Sequence, residues 1–261
     1  MIRSVYQFPT RKPAVTTSPP ATVLEIETAS AEVHFSRISV DMGAVVKAAE
    51  ELMQKVMWNW DSSHDPFHVY RVRSLALSLA AEEGLLPESR QIVELAALLH
   101  DIDDHKYASS REKRAEPTAE EFLTQHQIDP VKKEAIMNII HGMGFKEKLN
   151  SISKAKFTPE FAVVQDADRV DAIGAIGIGR SFTFAGAKNC PMYDPVIQPR
   201  MNLTKEEYTS TNTTTINHFH EKLLKLKGMM KSQAGRRRAE GRHKFMLQFL
   251  EQFAEEWSGK L

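Results

Sequence analysis

Val93-Glu94-Leu95-Ala96-Ala97-Leu98-Leu99-His100-Asp101 decides how the rest of the chain is read. From Ser89 to His100 the sequence is almost continuously apolar, which predicts a helix buried on several sides. The run closes on two side chains with metal-binding chemistry, and the polar Asp103-Asp104-His105 follows. Neighbouring side chains on a regular helix diverge by about 100°. Both His100 and Asp101 therefore face one point only if the helix ends there and the backbone turns. Upstream stands a second His-bearing stretch, His64-Asp65-Pro66-Phe67-His68-Val69-Tyr70-Arg71-Val72. Downstream stands Asp166-Ala167-Asp168-Arg169-Val170-Asp171. Three apolar helices thus supply two imidazoles and two carboxylates, a mixed nitrogen and oxygen set suited to a divalent transition metal.

Outward from these segments the periodicity is helical throughout. Val45, Val46, Ala49, Leu52, Met53 and Val56 recur at helical spacing after Asp41, a plausible N-cap. Pro66 suits the first turn of a helix carrying His68, Val72, Leu75 and Leu79, and Gly84 ends it. Further helices are predicted over 118–126, 130–140, 161–179, 214–231 and 236–257. The segment 109–117 is charged, and 184–213, rich in Gly, Pro, Asn and Thr, reads as a long ordered loop. No internal repeat and no alternating strand of useful length occurs. The expected fold is all-α: a single helical domain over 41–261, preceded by a disordered or targeting extension over 1–40.

The ordered series His68, His100-Asp101, Asp168 resembles the HD-domain metal-dependent phosphohydrolases, most closely a subgroup of small bacterial HD hydrolases. Val163–Gly174 looks like that subgroup's late-Asp helix, and His218-Phe219-His220-Glu221-Lys222-Leu223-Leu224-Lys225-Leu226 looks like its C-terminal signature. The resemblance spans roughly Asp41 to Trp257.

The resemblance implies a site. His68, in its His-Val-Tyr-Arg-Val context, is the first ligand; His64, one helical turn earlier, is its rival and is given a flanking role toward phosphate. His100 and Asp101 are the next two ligands. The Ala-Asp-Arg context selects Asp168 as the fourth, with Asp166 as fallback. Asp171 is read as the carboxylate that orients a ligand imidazole. Asp104, three residues after Asp101, is the candidate general base. Lys106 and Arg169 are candidates for phosphate oxygens, and His141 for the pocket wall. The long loop is expected to cover the substrate, with Arg180 just upstream and Lys188, Tyr193 and Arg200 within it supplying charge and a stacking ring. The basic run from Lys222 to Arg242 is read as a solvated face, balanced by Glu240, Glu251, Glu255 and Glu256.

The implied activity is hydrolysis of a phosphate ester or anhydride. The substrate is a nucleotide, with nucleoside triphosphate pyrophosphohydrolysis foremost and a cyclic nucleotide or nucleoside monophosphate as the alternative. A reading from another class is a non-enzymatic helical protein that binds nucleotide or metal. The absence of any His-His pair favours one metal ion over two. Two His ligands favour Mn²⁺, Fe²⁺, Co²⁺ or Ni²⁺ over Mg²⁺ by affinity; the expected ion is Mn²⁺, with Mg²⁺, Fe²⁺, Co²⁺, Ni²⁺ or Zn²⁺ as alternatives.

Composition narrows the partners. Lys+Arg and Asp+Glu both number 34, so the net charge is zero, which argues against broad electrostatic binding to nucleic acid or to anionic membranes. No apolar run approaches a membrane span. The one cysteine, Cys190, forms no internal disulfide and fits a reducing compartment, so the expected location is the cytoplasm. Residues 1–24 hold no Asp or Glu, which would suit an organelle transit peptide, but Pro9, Pro13, Pro19 and Pro20 break any long amphipathic helix. Composition thus favours a disordered tail. Oligomeric state is left open, and a homodimer is compatible with it.

Overall fold

The computed structural model describes residues 40–104, 116–143, 157–201 and 213–261. The expectation for the N-terminal extension, and the candidate Lys106, lie outside the described residues. Among those described, regular structure is entirely helical, with nine α-helices and one 3-10 helix and no strand.

Most of the α-helices begin where the sequence supplies a side-chain cap. Asp41 accepts from the amides of Gly43 and Ala44 to start α1 (Met42–Met57). The Asp65 side chain accepts from the His68 amide, and Pro66 occupies the first turn of α2 (Pro66–Glu82). Pro87 opens α3 (Pro87–Leu99). Thr118 and Glu121 form a capping box at α4 (Ala119–Gln125), and Asp129 caps α5 (Pro130–Gly142). Thr158 and Pro159 begin α6 (Pro159–Asp171), and α7 (Gly174–Ala187) follows almost at once. After a connecting segment come α8 (Thr215–Glu221), the 3-10 helix Leu223–Met229 and α9 (Gln233–Trp257).

Helix α2 is central. It packs along both α3 and α6, the two helices that carry the other metal-binding candidates. The main core gathers the inner faces of α1 to α6, with Met53, Leu79, Leu95, Leu98, Leu123 and Phe161 buried. A second core, around Phe219, Leu226, Ile173 and Met246, joins the end of α6 to the C-terminal elements. Burying this apolar surface is the main driving force for the assembly.

Three expectations change. The single helix predicted over 161–179 is two helices. Ile173 is extended, and Gly174 takes a φ of +77°, a left-handed conformation that glycine adopts without strain. Gly177 lets the second helix pack back on the first, because a Cβ there would sit 2.2 Å from the Ala172 carbonyl oxygen. The predicted loop from 184 starts later, since α7 runs on through Ala187. The predicted helix over 214–231 breaks at Lys222 and continues as 3-10. Apolar periodicity carries no mark of these breaks.

Candidate metal centre

His68 is buried on α2. Its Nδ1–H donates to Asp171 Oδ2 at 2.8 Å. An ionised carboxylate only accepts, so this bond fixes the tautomer and leaves the lone pair on Nε2. His100 is arranged in the same way by different means. Its Nδ1–H donates to the Ala97 carbonyl at 2.9 Å, which again leaves Nε2 as the free lone pair. The two rings meet edge to face with centroids 5.5 Å apart. Neither Nε2 has a hydrogen-bond partner, although both are buried.

Two carboxylates face these nitrogens. Asp101 Oδ2 lies 3.4 Å from His68 Nε2 and 3.3 Å from His100 Nε2. Asp168 Oδ1, from α6, lies 3.6 Å from His68 Nε2. Ligand atoms of His68, His100 and Asp168 all fall within 4.8 Å of one another. Adjacent His100 and Asp101 converge because α3 ends at Leu99: the Ile102 amide returns to the Leu99 carbonyl, and the Asp104 amide to that of Asp101. The polar turn expected after His100 is what lets both side chains face one point.

The group holds negative charge in a buried place. Burial opposes ionisation of Asp101, yet the His100 and His68 imidazoles hold its carboxyl well below the usual range. Burial likewise opposes a charge on His100, and Asp101 and Asp168 outweigh it, raising its pKa to about 9. The site therefore attracts a cation. A proton on His100 satisfies one imidazole only, whereas a divalent ion would satisfy both orphaned nitrogens and both carboxylates. The donor set fits such an ion, with open positions left in an octahedral shell.

Asp171 is the anchor behind the ligands. Besides His68 it accepts from Arg71 Nε at 2.8 Å and Nη2 at 3.1 Å, and from Arg180 Nη1 at 3.0 Å. Burial works against its charge, and the His68 and Arg71 hydrogen bonds outweigh it, so its carboxyl titrates well below the ordinary range. Arg180 Nε also donates to the Ser63 carbonyl at 2.7 Å, and Ser63 Oγ sits 2.7 Å from His64 Nδ1 and bonds Asp61. One guanidinium thus ties the segment bearing His64 to the carboxylate behind His68. His64 lies edge-on to His68 and to Phe184, with centroids 6.0 and 5.9 Å away.

The ligand candidates open onto a cavity of about 610 Å³. His64, Asp104, His141 and Arg169 line it, and so does Arg180. Arg169 also donates to the Met229 carbonyl at 2.8 Å. Some of the proposed residues lie elsewhere. Asp166, the fallback ligand, points away from both imidazoles and accepts from the amides of Lys231 and Ser232 and from Ser232 Oγ, which pins the start of α9. Gly235 leaves room for it, since a Cβ there would meet Asp166 Oδ2 at 2.4 Å. Tyr193 packs edge-on against Trp257 and Phe253. Arg200 pairs with the buried Glu221, Nε to Oε1 at 2.9 Å and Nη2 to Oε2 at 2.8 Å. Neither lines the cavity; of the described loop residues 188–201, Cys190 does. The sequence reading missed Asp61, Ser63 and Arg71, of which Arg71 was open to inference, being three residues after His68 on the same helix. It offered Arg180 as a charge beside the loop; Arg180 does line the cavity, but its pairing with Asp171 depends on the break at Ile173–Gly174.

Comparison with known proteins follows the same lines. Residues 67–173 match the HD domain family. The chain is 34% identical to YpgQ of Bacillus subtilis over 217 residues, covering 82% of this chain and 96% of YpgQ. The crystal structure of YpgQ in complex with ADP superposes with a TM-score of 0.60 at 31% identity, covering 81% of this chain and 97% of that one. A Lactobacillus plantarum protein of known structure gives a TM-score of 0.72 at 34% identity, covering 83% and 98% of the two chains. An HD-superfamily hydrolase from Bacillus thuringiensis gives 0.57 at 34% identity, covering 83% and 96%.

Proposed function

This chain belongs to the HD-domain family, and on that premise we propose that it is a metal-dependent phosphohydrolase acting on a nucleotide. The observation that carries the proposal is the pair of buried, unpartnered Nε2 lone pairs of His68 and His100, facing the carboxylates of Asp101 and Asp168 at one cavity. Unpaired buried nitrogens are costly, and a divalent ion accounts for both.

His68, His100, Asp101 and Asp168 would hold the ion, a mixed nitrogen and oxygen set that suits a divalent transition metal, with Mn²⁺ the ion to test first. When bound, a divalent ion acidifies water and neutralises charge developing at phosphorus. The chain's own groups do the rest. Asp104 lines the cavity three residues beyond Asp101 and takes the proton of the attacking water. Asp171 holds the His68 ring in its working tautomer. His64 and Arg169 face the space where phosphate oxygens sit. The nucleotide class is supported by YpgQ, a relative whose crystal structure contains ADP, and by a cavity size within the range of about 300–1,000 Å³ typical of small-molecule sites.

Metal analysis of the purified protein, followed by a release assay for phosphate and pyrophosphate over a nucleotide panel with Mn²⁺, tests the proposal. Close to one ion per chain and Mn²⁺-dependent release are expected. A metal-loaded protein inactive on every nucleotide would favour a binding protein instead.

A further inference from the structure

The cavity that the candidate metal ligands open onto has further polar lining residues. Helix α8 contributes His218, and Lys222 follows one turn later at its end; both line the cavity. The backbone of His218 is occupied within the helix, its amide donating to Thr214 and its carbonyl accepting from Lys222. Its imidazole forms no hydrogen bond with the described residues. The ring is half-buried, and burial, helped by the Lys222 ammonium, lowers its pKa and favours the neutral form.

A neutral imidazole presents one donor and one lone pair on a flat ring. That pattern suits the edge of an uncharged heterocycle. A phosphate oxygen, which only accepts, uses the N–H and leaves the lone pair unpaired, whereas a heterocycle edge uses both. The surroundings agree. Phe184 and Ala185 from α7, and Leu223 and Leu226 from the 3-10 helix, line the cavity with apolar surface suited to the faces of a planar ring. Lys222 supplies the cation that phosphates need.

We infer that His218 hydrogen-bonds the base of a bound nucleotide, and that Lys222 receives the phosphate chain running from that base toward His68, His100 and Asp168. The inference rests on the nucleotide reading above. It assigns base recognition to α8 and makes His218 a residue that sets specificity. A site built around a neutral donor and acceptor rejects ligands that cannot pair with them.

Calorimetry on the full-length, Mn²⁺-loaded protein separates base from phosphate. The two ligands are an adenosine triphosphate with a methylene group between its α- and β-phosphates, and inorganic tripolyphosphate. His218→Ala is expected to weaken the nucleotide analogue about tenfold, the loss of one well-made hydrogen bond, and to leave tripolyphosphate unchanged. His218→Asn, which keeps a donor and an acceptor, should hold the analogue more tightly than His218→Ala. Lys222→Met should weaken both ligands. Mn²⁺ content and melting temperature report that each variant is folded and loaded. An equal loss for both ligands in His218→Ala would make His218 a phosphate contact and overturn the assignment. Unchanged binding of both would remove His218 from the site altogether. Wild-type protein that binds neither ligand would overturn the nucleotide reading along with it.

Discussion

The imidazole of His68 is fixed on one side and unpartnered on the other. Asp171 takes its Nδ1 proton, and Nε2 faces Asp101 and Asp168. This division of labour makes single substitutions separable. Asp101→Ala and Asp168→Ala should each lose the metal, read as ions per chain. Asp104→Ala should keep the metal and lower kcat about 10²- to 10⁴-fold, the usual contribution of a proton-transfer group. Normal turnover in Asp104→Ala would reduce that residue to a turn aspartate. Asp171→Asn should weaken metal affinity about 10- to 100-fold, because an amide can present its N–H₂ to His68 and no longer fixes the ring. An unchanged metal dissociation constant would show that Arg71 and Arg180 suffice to hold the pocket.

At the scale of elements, the sequence was most legible where apolar period and caps agree. Asp41, Pro66 and Thr118 each mark a helix start that the structure reproduces within a residue or so. That His68, the His100-Asp101 pair and Asp168 would face one cavity was expected from the family resemblance, and all four line it. What was not legible depends on tertiary geometry. The break between α6 and α7 hides inside a continuous apolar run, and it brings Arg180 back to Asp171. Arg200 carries the charge expected of a substrate clamp, but buried Glu221 claims it. Two tests follow. Gly177→Ala places a methyl against the Ala172 carbonyl and should destabilise by about 1–3 kcal/mol, as overpacking does. An unchanged melting temperature would mean that the α6–α7 junction yields easily. The Glu221 pair gives a pH dependence. Burial opposes the charge on Glu221, and Arg200 more than restores it, holding the carboxyl below its ordinary value of 4.5. A depressed carboxylate stabilises the fold above that pH and loses the contribution as pH falls below it. Arg200→Met leaves the buried carboxylate without its ion-pair partner, with Thr213 still bonded to it, and burial then raises its pKa. Its melting temperature should fall at pH 7 and the deficit should shrink as pH drops through the carboxylate range, and an unchanged melting temperature at pH 7 would show that the ion pair contributes nothing to the fold.

Across the whole molecule, three helices that meet along α2 bring their polar residues to one cavity, while a second core fixes the C-terminal elements as its far wall. No helix among the described residues is long and apolar enough to cross a membrane. The candidate metal ligands and His218 line the same cavity. The most direct test of the central claim is the position of the metal. Crystals loaded with Mn²⁺ and measured by anomalous scattering should show one peak about 2.0–2.3 Å from Nε2 of His68, Nε2 of His100, and an oxygen each of Asp101 and Asp168. A peak beside Asp166, or none among these four residues at full loading, would contradict the account.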